Sequence, residues 1–155
     1  MAASTAAAPP TAATATSVAQ TETVQYRILS WGLPQRSWTL EADGSLLVET
    51  KAAGQPFRDY ELDQQRTRLS PEVATQVRAG LQVARGPLPH CTVIMTDGPS
   101  IYLNWSGPPE QTASVYLGCQ EAAFRPIIER LMAADELVSA AVAGVPVSGK
   151  RRVTS

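Results

Sequence analysis

The helix start at Ser70-Pro71-Glu72 constrains the fold of this chain more than any other feature. A serine hydroxyl there accepts from an orphan backbone N–H, and a proline in the first turn sacrifices no helical hydrogen bond. The carboxylate that follows faces the positive end of the helix dipole. Val73, Val77, Leu81 and Ala84 then recur at spacings of four, four and three, and Gly86 with Pro87 and Pro89 ends the run. The helix therefore carries one apolar stripe, which has to be buried against another layer.

Strand signals on both sides of the helix supply that layer. Val24, Tyr26 and Ile28 alternate with Gln25, Arg27 and Leu29 at the period of a strand. Trp31-Gly32-Leu33-Pro34 interrupts it, and extended character resumes from Ser37 to Glu41. Asp43-Gly44 then offers positive-φ turn chemistry for a hairpin into Leu46, Leu47 and Val48. Phe57, Tyr60 and Leu62, irregularly spaced among charged residues, fit an edge strand or an ordered loop. Beyond the helix, Cys91 to Thr96, the Asp97-Gly98 turn and Ser100 to Trp105 read as a second hairpin. Val115 to Leu117 follow as a strand after Gly107-Pro108-Pro109.

Phe124, Ile127, Ile128 and Leu131 occupy i, i+3, i+4 and i+7 of a second helix, with Pro126 in its first turn and Glu136 to Val142 extending it. The expected fold is α+β: a two-layer domain over residues 23–142, with a mainly antiparallel sheet of about six strands and two helices packed on one face.

The ends differ in texture. Residues 1–20 contain nine Ala, four Thr and two Pro with no charge. Such side chains bury too little area to offset ordering, so residues 1–22 are expected to form a disordered tether. It reads either as a spacer left after a signal or lipidated segment is removed, or as a natural low-complexity terminus. Residues 143–155, with Lys150, Arg151 and Arg152, are expected to form a flexible basic tail.

The two cysteines, Cys91 and Cys119, lie at adjacent strand ends. Bridged, they would close a loop whose chain-entropy value is about 3.6 kcal/mol. A disulfide points to an oxidising compartment, and with the tether it suggests a periplasmic or secreted protein; the alternative is a pair of buried reduced thiols.

Catalytic chemistry finds little to work with. The single histidine, His90, is sequence-adjacent to Cys91, and neighbouring side chains on an extended strand point to opposite faces. Asp59, Glu61 or His90 could carry acid–base work in a small hydrolase, but nothing in the sequence orients a base toward a nucleophile. No metal-ligand spacing or phosphate loop is present, so neither metal nor cofactor is expected. The net charge of -1, with basic and acidic residues interleaved around the aromatics, argues against nucleic-acid binding. No apolar run is long enough for a membrane-spanning helix.

Recognition by surface loops remains. Trp31, Leu33, Arg36 and Trp38 cluster around one turn, and Trp105 stands beside another proline-stiffened loop; these are interface residue types, although each Trp could equally belong to the core. The element order over residues 23–142 resembles that of small bacterial inhibitor proteins that block proteases or neutralise rival toxins, a likeness of architecture alone. The expected function is a non-catalytic binding protein, an inhibitor or immunity-type partner of an enzyme or toxin. The alternative is a tethered structural or accessory subunit of a cell-envelope complex.

Overall fold

The computed structural model describes residues 22–155, so the expected tether lies outside the described residues except for Glu22. In chain order the elements are β1 (Val24–Ser30), β2 (Leu33–Leu40), β3 (Ser45–Lys51), β4 (Tyr60–Arg68), α1 (Pro71–Leu81) and a 3-10 turn (Gln82–Ala84). They continue with β5 (Ser100–Trp105), β6 (Gln111–Tyr116), a second 3-10 turn (Ala122–Phe124), α2 (Arg125–Val142) and β7 (Gly149–Val153). The strands form one sheet in the order β6-β5-β1-β2-β3-β4-β7, with every neighbouring pair antiparallel. The α+β architecture is as expected, with seven strands.

Apolar parity along the strands selects the covered face. Tyr26 pairs with Trp38 on one side and Leu103 on the other, and Trp38 pairs with Val48, so one row of large side chains crosses four strands. A second row joins Trp105, Val24, Leu40 and Leu46. Both rows are buried in one core with Val77 and Leu81 of α1 and Leu131 and Val138 of α2. Tyr26 and Trp38 stack with ring centroids 4.9 Å apart. Gly80 lets the helices approach closely: a Cβ added there would stand 3.2 Å from the Ala134 Cβ. The other face carries Gln25, Arg27, Ser37, Glu49 and Gln64 and bears only a small cluster of Tyr60, Leu62, Val153 and Leu33.

Helix chemistry follows the sequence. The Ser70 hydroxyl accepts from Val73 N, proline occupies the first turn of both helices, and Gly86 takes a φ of +100° just past the 3-10 turn that follows α1.

Several expectations are corrected. The basic tail is ordered: residues 149–153 are β7, paired along β4, because Lys150 reaches Asp63 (2.8 Å) and Arg151 reaches Glu49 (2.8 Å) while Val153 is buried beside Tyr60 and Leu62. This places β4 inside the sheet, where an edge strand or loop was expected. Cys91 to Thr96 do not form a sheet strand; they make a single bridge, Ile94 with Cys119, and the true hairpin is β5–β6 around Gly107-Pro108-Pro109. Glu22 belongs to the fold: it is buried and accepts two hydrogen bonds from Arg85 (2.7 and 2.8 Å), whose guanidinium lies over the Trp105 ring.

Candidate docking site

Antiparallel order brings the chain reversals that follow β1, β3 and β6 to one end of the sheet, together with the segment that enters β5. That end holds most of the exposed large apolar side chains among the described residues: Trp31 (70% exposed), Phe57 (51%), Val93 (56%), Ile94 (57%) and Met95 (61%). Three of these are consecutive, and the backbone that carries them is pinned on both flanks.

On the N-terminal flank, Cys91 is disulfide-bonded to Cys119, and Thr92 donates from both its backbone N–H and its hydroxyl to one oxygen of Glu121. Those bonds, the hydroxyl's first, hold the Glu121 carboxyl below its ordinary range. In the middle, Gln120 N donates to Val93 O (2.7 Å) and Met95 N to Gly118 O (2.8 Å). On the C-terminal flank, the Tyr116 hydroxyl accepts from Gly98 N (2.8 Å) and donates to Met95 O. Glycine is required at Gly118, since a Cβ there would sit 2.5 Å from Met95 O and 2.7 Å from the Tyr116 ring. Segment 92–96 is thus fixed along one side: it bends at Val93, pairs through Ile94 alone and turns at Thr96. The alternation of an antiparallel pairing turns the N–H and C=O of Ile94 to the other side.

The second part of this sheet end is a shallow depression lined by Trp31, Leu33, Phe57, Arg58 and Ser155. Trp31 and Gly32 both have positive φ (53° and 74°) in the two-residue turn between β1 and β2.

The five residues expected to bind a partner divide sharply. Trp31 is exposed, and Leu33 is half-buried on the rim of the depression. Arg36 instead braces the helix layer: its guanidinium donates to Asp135 (2.8 Å) and Ser139 (2.8 Å) of α2. Trp38 is buried, with its indole N–H donated to Asp135 (2.9 Å), and Trp105 is buried beneath Arg85. Trp38 and Trp105 are therefore corrected to core residues and Arg36 to an interlayer strut. Parity explains both Trp positions, because each lies on the same strand face as a buried aliphatic neighbour, Leu40 or Leu103.

The hydrolase candidates are not assembled. His90 stands near Glu121 on the β5–β6 side, whereas Asp59 and Glu61 lie at β4, where Glu61 pairs with Lys150. Sequence reasoning missed Val93, Ile94 and Met95 because an apolar run between turn residues reads equally as a buried strand. The signal available was its setting: Pro89 and Cys91 before the run and Asp97-Gly98-Pro99 after it delimit a tethered loop as well as a strand.

Compared with known protein families and with curated proteins, the chain matches no family and no curated protein.

Proposed function

We propose that this chain is a non-catalytic inhibitor which offers residues 92–96 to the cleft of a polypeptide-cleaving enzyme, an endopeptidase, outside the reducing cytoplasm. The observation that carries this reading is three consecutive exposed apolar side chains on a backbone pinned at both ends. Three isolated exposed apolar residues would need no explanation; an exposed run held rigid does. A cleft that processes polypeptide takes an extended strand through main-chain hydrogen bonds and fills pockets with alternate side chains. Around Ile94 the segment offers both: the Ile94 N–H and C=O face away from the bridge to Cys119, and the side chains of Val93, Ile94 and Met95 are exposed. Its clamps hold the backbone within the folded protein, so docking avoids a backbone-ordering cost of about 1–2 kcal/mol for each residue already fixed.

The disulfide supports the compartment: such bridges persist in oxidising surroundings, which fits a periplasmic or secreted protein.

The test is titration of the oxidised protein against purified endopeptidases of the serine, cysteine and metallo classes that prefer apolar side chains. Stoichiometric inhibition of at least one is expected. Ile94→Asp should weaken it by about 100-fold, the scale of a central hot-spot loss, and should leave the melting temperature unchanged because the side chain is exposed. Absence of inhibition across all three classes would overturn the reading; wild-type self-association in the same samples would favour the envelope-subunit alternative.

A further inference from the structure

We infer that the Trp31 turn is a second contact element for the same enzyme, gripping its surface beside the cleft that takes residues 92–96. This inference rests on the inhibitor reading above.

Three observations carry it. The first is position. β5 neighbours β1, so the β1–β2 turn lies about 7 Å from the β5 axis and the β3–β4 connection about 17 Å, by ordinary strand spacing. Trp31, Phe57 and residues 93–95 therefore share one end of the sheet, with Trp31 and Phe57 lining one depression there.

The second is the backbone. A two-residue hairpin with positive φ at both positions selects Asn-Gly or Asp-Gly, and a bulky side chain in the left-handed region is an outlier. Trp31 occupies the first of these positions at φ 53°. The third is exposure. Trp31 is 70% exposed, so the fold gains little packing in return for the strain. Strain of this kind, kept where it does not serve the fold, marks a site selected for something else, and Trp is among the residue types enriched at binding hot spots. The neighbouring register shift between Ile28 and Leu29 sets the angle at which the hairpin tip leaves the sheet. Phe57, across the shallow depression, extends the contact beyond Trp31.

The decisive variant is Trp31→Asn, which places the preferred residue in the turn. Stability and affinity are predicted to move in opposite directions: the melting temperature rises by about 2–4 °C, and the inhibition constant against an endopeptidase that the wild type blocks weakens by about tenfold or more. Phe57→Ser, on the far side of the depression, should weaken it in the same sense. A Trp31→Asn protein that is more stable and inhibits as well as the wild type would overturn the second contact and leave the inhibitor reading intact. A Trp31→Asn protein that is less stable would show that Trp31 serves the fold, and would also overturn it. A wild type that inhibits no endopeptidase would overturn both.

Discussion

Asp135 shows how much of this fold rests on single polar side chains placed between the layers. One oxygen accepts from both Arg36 Nε (2.8 Å) and Trp38 Nε1 (2.9 Å), so a carboxylate on α2 holds two neighbouring positions of β2. Removing it leaves an indole N–H in the core and a mostly buried guanidinium without their acceptor, and an orphaned buried donor costs more than the bond it loses. Asp135→Ala should therefore lower unfolding free energy by about 2–3 kcal/mol in denaturant titration, although neither partner is lost. Asp135→Asn, which keeps one acceptor oxygen, should cost less. The same logic explains why residue type misleads at this scale. Trp38 and Trp31 are seven positions apart around one turn, yet the first is core and the second is the most exposed aromatic in the described chain. Parity with Leu40 was available to identify Trp38. Nothing in the sequence reveals that Arg36 reaches across to α2, since its partner lies 99 positions away.

At the scale of elements, legibility tracks how local the determining interactions are. The start of α1, the proline at the head of α2 and the Asp43-Gly44 hairpin are decided by residues within a few positions of one another, and all stand as the spacing predicts. β4 was obscure because it serves two faces: Tyr60 and Leu62 pack on the open side, whereas Gln65 turns inward and donates to Val142 O (3.2 Å) and Val145 O (2.7 Å) at the end of α2. No single apolar period describes such a strand. Segment 92–96 is the reverse case, an apolar run that reads as a strand but stands exposed with a single bridge to the rest of the chain. Its rigidity has a separable component in the Tyr116 hydroxyl, which joins Met95 O and Gly98 N. Tyr116→Phe keeps the ring but removes both bonds. The Gly98 amide should then exchange with solvent about tenfold faster, a change worth one ordinary hydrogen bond, while amides in the paired strands β1 and β2 keep their protection. A uniform rise across the sheet would mean that the hydroxyl supports the whole domain rather than the segment.

For the whole molecule, the ends of the described chain act as fasteners. Glu22 lies in the core edge, and its carboxyl is held below the usual range, chiefly by the hydrogen-bonded Arg85 and secondarily by that residue's charge. A carboxylate whose value falls on folding contributes stability above its ordinary titration range and loses it as pH falls through the depressed value. The disulfide closes a loop of sequence separation 28 that contains both residues 92–96 and the β5–β6 hairpin. At the far edge, β7 covers β4 from Tyr60 to Gln64, which would otherwise present unpaired N–H and C=O groups along that stretch. Ending the chain at residue 147 would expose that edge together with Tyr60 and Leu62, and would free Asp63 and Glu49 from Lys150 and Arg151. Exposed ion pairs contribute little, so the loss comes mainly from the apolar burial around Val153 and the ladder bonds, less the backbone entropy regained. That balance gives about 2 kcal/mol. The stronger effect should be association: a bare β4 edge with an apolar pair beside it is a template for another chain. The shortened protein should sediment as concentration-dependent oligomers where the full chain remains a single species. Because β7 and residues 92–96 lie at opposite sides of the sheet, any monomer that persists at low concentration should inhibit as well as the full chain any endopeptidase that the full chain blocks.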